Sequence, residues 1–278
     1  MATEEFPRVG FGTDLNTELR DFDEFTPDFE EGAGAVEYAL SVGYRHIDTA
    51  QVYGTEEAVG AGIRRSEVPR EDVFLVTKVH QSNLAYEDVL ETTEESLDRL
   101  GVDYVDLLYV HWPVDAYEPT ETLAAFDELR EAGKTRHVGV SNFTPELLDE
   151  ARAILESPIV AHQVEMHPLL QQDELLEYAR KYGHYLVAFS PLLRGRVSDV
   201  PLLAEIAEKH GATAAQVSLA WLLSKENVAV IPKSSTESHI AENFKAQTFD
   251  LDPEDIEAID GIEREERIID FEFSPWRD

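Results

Sequence analysis

Short β-branched and aromatic runs recur along the chain, and each is followed by a stretch whose apolar positions return every three to four residues. The runs are VGFGT (9–13), RHIDTA (45–50), VFLVTKV (73–79), VDLLYVHW (105–112), RHVGVSNF (136–143), AHQVEM (161–166), YLVAFSP (185–191) and VAVIPKS (228–234). The intervening stretches read as amphipathic helices. In YEDVLETTEESLDRLG, Val89, Leu90, Thr93, Leu97 and Leu100 fall on one helical face, and Gly101 supplies a C-terminal cap. In SNFTPELLDEARAIL, Thr144 is a good N-cap and Pro145 a good first helical residue. Eight strand-then-helix units in about 250 residues predict a (β/α)8 TIM barrel, an α/β fold, as a single domain over residues 1–278. An open doubly wound sheet shares the alternation but usually has fewer strands.

Two segments break the pattern. RDFDEFTPDFEEG (20–32) is acidic and punctuated by Pro27, which reads as the first strand-to-helix connection. EREERIIDFEFSPWRD (263–278) follows a last helix and is expected to fold over one face.

Composition narrows the class of protein. Lys plus Arg number 23 against 57 Asp plus Glu, a net charge of −34, which argues against nucleic acid or an anionic membrane as partner. Such a surface repels itself at low salt, whereas at molar salt the Debye length shrinks to about 3 Å and the repulsion is screened. A halophilic host with a salty cytoplasm is therefore expected. Cysteine is absent, which removes disulfides, thiolate chemistry and Cys-ligated metal, and fits a cytoplasmic enzyme. The start, MATEEFPRVG, carries acids where an export signal carries bases. No apolar run approaches the eighteen or so residues of a membrane span, so a soluble protein is expected.

Barrels of this kind build their active sites at the C-terminal ends of the strands. Reading each run to its end gives Asp48 and then Tyr53, Lys78, His111, Ser141 with Asn142, Gln163 with Glu165, Ser190, and Lys233 with Ser234. Singly, each has a structural explanation: Asp48 as a helix cap, Lys78 as a strand-end charge, His111 as a buried imidazole, Tyr53 as packing. Together they form a set in which perturbed acidity is made. An ammonium beside a phenol stabilises the phenolate, so Lys78 is expected to lower the pKa of Tyr53, with Asp48 as the lysine's counter-ion. His111 is placed to donate a hydrogen bond to a substrate carbonyl. This set suits protonating an oxygen while something else attacks its carbon. None of the residues is a plausible nucleophile, and a hydride from a reduced nicotinamide is the simplest supplier. No Rossmann fingerprint exists, because GAGAVE and GAGIRR lack the third glycine and follow no strand. The barrel itself must hold any dinucleotide, with Lys233 and nearby amides for phosphate and Ser141, Asn142 and Gln163 for a carboxamide. Two rival readings remain open. His46, Asp48, His111, His162 and His167 are respectable zinc ligands for a hydrolase, although Lys78 in their midst repels a dication. A cofactor-binding regulatory subunit with little turnover would keep the same barrel.

In order and spacing, GFGT, GYRHIDTAQVYGTEEAVG, VFLVTKV, SLDRLGVDYVDLLYVHWP, GKTRHVGVSNF, HQVEMHP, AFSPL, AQVSLAWLL, VIPKSS and IAENF resemble the aldo-keto reductases over nearly the whole chain. The resemblance implies an NAD(P)H-dependent reductase with a catalytic tetrad of Asp48, Tyr53, Lys78 and His111. It also implies that Ser141, Asn142 and Gln163 hold the nicotinamide carboxamide, and that Phe189 stacks on the ring where the family usually has tyrosine. Ser190 and Leu192 fall in the same cofactor-binding stretch, and Lys233, Ser234, Glu242 and Asn243 match the adenosine-phosphate end. His239 stands where the family carries an arginine that clamps the 2′-phosphate of NADPH, and an imidazole is a weak substitute for a bidentate guanidinium. NADPH is still expected, with NADH as an alternative. On the substrate wall, Asp14 and His80 replace two tryptophans, Trp112 is kept, and Trp276 is expected to close the pocket. This predicts small or hydroxylated carbonyl substrates over bulky aromatic ones.

Overall fold

Each of the eight apolar runs forms a strand because it can bury both faces, one toward a barrel interior and one toward a helix. A computed structural model describes residues 6–15 and 26–277. Its strands are β1 (Gly10–Gly12), β2 (His46–Asp48), β3 (Phe74–Val79), β4 (Val105–Val110), β5 (Thr135–Ser141), β6 (Ile159–Glu165), β7 (Tyr185–Phe189) and β8 (Val228–Val230). They pair in parallel in chain order. Val9 bridges Val230 in parallel and the Val230 N–H donates to Arg8 O at 2.8 Å, which brings the last strand back to the first. All the strands except β6, which starts two residues earlier than its run, are shorter than the runs that predicted them. Surplus residues such as Thr49, Ala50, His111 and Trp112 follow their strands at the C-terminal end of the sheet, where a site can form.

The helices are α1 (Phe29–Val42), α2 (Glu56–Arg65), α3 (Tyr86–Leu100), α4 (Pro119–Glu131), α5 (Pro145–Ile154), α6 (Asp173–Tyr182), α7 (Pro201–His210), α8 (Ala214–Ser224), α9 (Glu237–Lys245) and α10 (Pro253–Asp260). Gly101 ends α3 at φ 70°, and the Thr144 hydroxyl accepts from the Leu147 N–H at the start of α5, as their sequences predict. The expected connection over 20–32 is corrected at its end. Asp28 accepts from the Glu31 N–H at 2.9 Å and α1 begins at Phe29, because an aspartate followed by two acids in the first turn is a helix start. Positions 20–25 of that segment lie outside the described residues. GAGAVE and GAGIRR lie inside α1 and α2, where a Cβ on Gly62 would come within 2.6 Å of Ala33 O. These glycines serve close helix packing.

Two cores result. One fills the barrel, with Phe6, Val76, Leu107, Tyr109, Ala161, Val187, Ala229 and Ile231. The other, larger one lies between the barrel and its helices. Gly139 leaves room for the Tyr109 ring, since a Cβ there would sit 2.5 Å from it. At the N-terminal end Phe6 stacks on Tyr185 at 4.4 Å and meets Phe74 and His46 edge-on. That plug leaves the C-terminal end as the open one.

Candidate active site

The last residue of β2 is Asp48, and the chain then makes a short 3-10 turn, Gln51–Tyr53, closed by Gly54 at φ 65°. This turn swings Tyr53 back over the strand end. On β3, Lys78 points inward and is fully buried. Its ammonium donates to Asp48 Oδ1 at 2.5 Å, to Thr49 O at 2.8 Å and to the Tyr53 hydroxyl at 3.4 Å. The second Asp48 oxygen accepts from Gln163 Nε2 at 2.8 Å. His111, just past β4, sets its ring edge-on to Tyr53 with centroids 5.7 Å apart. The four residues expected as a tetrad therefore meet at the barrel mouth.

Burial controls their acidity. The His111 imidazole is pushed well below its usual range by desolvation, then by Lys78 and His80, so it is neutral. The Lys78 ammonium is lowered by desolvation, against the pull of Asp48. Tyr53 corrects the expected direction. Its phenol is raised well above 10.0, first by desolvation and then by Asp48 and Asp14. The lysine's charge is engaged by Asp48, and a buried phenolate loses more hydration than a cation 3.4 Å away returns.

A cavity of about 990 Å³ opens above this cluster, within the range of ligand pockets. Asp48, Tyr53 and His111 line its floor, with Lys78 sealed beneath. All the residues expected at a cofactor border it: Ser141, Asn142, Gln163, Phe189, Ser190, Leu192, Lys233, Ser234, His239, Glu242 and Asn243. Asn142 sits at φ 63° and donates to His111 O and Ser141 Oγ, both at 3.0 Å, which couples β5 to the end of β4. Lys233 fits an anionic group. Among the described residues no carboxylate lies within ion-pair distance of it, although the protein carries a net charge of −34. Ser234 and Thr236 form a turn ahead of α9, whose N-terminus has no side-chain cap.

The substrate wall differs from expectation at one residue. Asp14, His80 and Trp112 line the cavity, and Asp14 pairs with Arg194 at 3.3 Å across its edge. Trp276 does not line it. Its indole N–H donates to Asp270 at 3.0 Å and its ring packs behind Trp112, 5.7 Å between centroids, bordering a separate cleft. Ile269, Phe271 and Phe273 close the wall instead. The aromatic residues of FEF were visible in the sequence, and a turn closed by the Ser274 N–H to Phe271 O bond at 3.0 Å brings the two rings together, stacked at 5.1 Å. The histidines of the metal reading are engaged separately. His46 Nδ1 lies 3.1 Å from Pro7 O, His162 accepts from the Phe143 N–H at 3.2 Å, and His167 pairs with Glu165 at 2.8 Å.

Comparison with known proteins agrees with this geometry. The model of the aldo/keto reductase family matches residues 8–264. The chain is 43% identical over 239 residues to the glyoxal reductase of Bacillus subtilis strain 168, covering 86% of each chain. It is 38% identical over 238 residues to the methylglyoxal reductase DkgB of Escherichia coli O157:H7, covering 84% of this chain and 89% of that one. A crystal structure of a Bombyx mori aldo-keto reductase in complex with NADP matches with a TM-score of 0.86 at 32% identity, covering 98% and 94% of the two chains. Fold, match length and identity together show that the chain belongs to the aldo/keto reductase family and is an oxidoreductase for NAD(P)H-dependent carbonyl reduction.

Proposed function

We propose that the protein reduces small polar aldehydes and ketones, 1,2-dicarbonyls among them, with NADPH, and that Tyr53 is the proton donor. The observation that carries this reading is the buried chain of contacts Gln163–Asp48–Lys78–Tyr53, with distances of 2.8, 2.5 and 3.4 Å, at the floor of the cavity. When bound, reduced nicotinamide supplies the hydride. The residues do the rest. The raised phenol of Tyr53 stays protonated at neutral pH, so the acid is loaded before substrate arrives. An alkoxide is more basic than a phenolate, so transfer from Tyr53 Oη to the substrate oxygen remains downhill. Lys78 then faces the phenolate and stabilises it, and Asp48 keeps the lysine oriented. His111, neutral, retains an N–H for the carbonyl oxygen.

Ser141, Asn142 and Gln163 are assigned to the nicotinamide end, Phe189 to its face, and Ser190 and Leu192 to the stretch between. Lys233, Ser234, His239, Glu242 and Asn243 are assigned to the adenosine phosphate. Asp14 and His80 make part of the substrate wall polar, which favours small hydroxylated or dicarbonyl substrates, and the names of the glyoxal and methylglyoxal reductases support this class. His239 in place of an arginine favours a second reading, NADH use. The absence of cysteine and the net charge of −34 support a cytoplasmic enzyme in a salt-rich cell. Among the described residues no helix is long and apolar enough to cross a membrane.

Trp112 lines the cavity, so quenching of tryptophan fluorescence in molar KCl tests the cofactor directly. Tighter NADPH binding followed by oxidation of NADPH with glyoxal is the expected result. Tighter NADH binding would make His239 a specificity switch, and cofactor binding without turnover on any aldehyde would contradict the assignment.

A further inference from the structure

Glu165 ends β6, and the proton transfer described above does not use it. Its side chain and that of His167 are both 0% exposed. The carboxylate is fully engaged: Oε1 accepts from the Ile268 N–H at 2.7 Å and lies 2.8 Å from His167 Nε2, while Oε2 accepts from the Ile269 N–H at 2.7 Å. Those two backbone donors belong to the segment after α10, more than a hundred residues away along the chain. The segment has no regular secondary structure of its own. Immediately beyond them Phe271 and Phe273 line the cavity, and both meet the Trp112 ring edge-on, at 5.7 and 5.5 Å.

The two phenylalanines are 37% and 45% exposed, so their burial anchors the segment weakly. A carboxylate that accepts two successive backbone N–H groups fixes both the position and the direction of the bent backbone that presents them. The barrel strand is rigid, and His167 is held by its own bridge to Leu170. We infer that Glu165 is a positioning residue that fixes the aromatic wall formed by Phe271 and Phe273, and thereby sets which carbonyls the pocket admits. The inference rests on reading the cavity as the site of carbonyl reduction.

The test uses Glu165→Gln, which exchanges one acceptor oxygen for a donor facing a backbone N–H. Steady-state kinetics with saturating NADPH in molar KCl are compared for benzaldehyde and glyoxal. The same substitution is repeated in a Phe271→Ala/Phe273→Ala background. The expected result is a fall of about tenfold in the benzaldehyde-to-glyoxal ratio of kcat/KM, carried by KM, which shrinks below about twofold once both rings are gone. Equal losses on the two aldehydes, or the same change in both backgrounds, would overturn the inference and leave Glu165 a merely structural residue. Where Glu165→Gln does not fold, Ile268→Pro deletes one of the same hydrogen bonds from the other side and is read in the same way. An unsubstituted protein that reduces neither aldehyde would sink the reductase reading itself, a result distinct from either kinetic pattern.

Discussion

At Tyr53 the effects that set a phenol's acidity oppose one another, and burial, with Asp48 and Asp14, wins over the Arg194 guanidinium. The same physics acts on two histidines away from the site. His184 accepts from Arg152 at 2.7 Å and is depressed to about 3 by desolvation and then by Arg152. His162, its ring 6.3 Å away, is held well below 6.5 by desolvation, then by His184 and Arg152. A depressed folded-state pKa means that the unfolded chain takes up protons first. Their stabilising contribution is therefore complete above about pH 6.5 and is lost as pH falls toward about 3. Denaturant titration in molar KCl should show stability dropping by about 2–3 kcal/mol for His184 between about pH 6.5 and 4.5, a loss that His184→Gln removes. A flat profile over that interval would contradict the burial argument. The residue types of the site were legible in the sequence because strand ends must face one way in a barrel. The sign of the Tyr53 shift was not, because it depends on depth of burial, which spacing does not encode.

Among the elements, neighbouring strands divide the interior between large and absent side chains. Gly139 on β5 faces Tyr109 on β4, and a Cβ there would lie 2.5 Å from the ring. Gly139→Ala should cost about 1–3 kcal/mol in chemical denaturation, and Tyr109→Leu in the same chain should restore only part of it, because the added Cβ still lies 2.9 Å from Ala161 O. No loss from the alanine alone would contradict the close packing of Gly139 against the Tyr109 ring and Ala161 O. All eight strands and the caps at Gly101 and Thr144 were readable because apolar period and cap chemistry are local signals. The start of α1 was misjudged because Pro27 and the surrounding acids suit a loop as well as a first helical turn. The C-terminal wall was only half readable: its aromatics were visible, but the Asp270 bond that turns Trp276 outward depends on how the segment folds back.

For the whole molecule, the decisive quantity is charge. Salt bridges such as Arg65–Glu30 and Lys134–Glu94 neutralise only part of the acidic surface, because 57 acids face 23 bases. Self-repulsion should make the fold depend on screening. Far-UV circular dichroism is expected to show unfolding below about 0.1 M KCl and recovery at molar KCl. Stability independent of salt would remove the case for a halophilic host and leave the site chemistry untouched.

The central claim is that Tyr53 delivers the proton within a network tuned by Lys78, Asp48 and His111. Tyr53→Phe keeps the ring and removes only the hydroxyl. The variant, measured beside the parent for NADPH affinity and for turnover with glyoxal, should bind NADPH within about twofold while kcat falls by roughly 10²- to 10⁴-fold. Turnover close to that of the parent, with the cofactor still bound, would contradict the account.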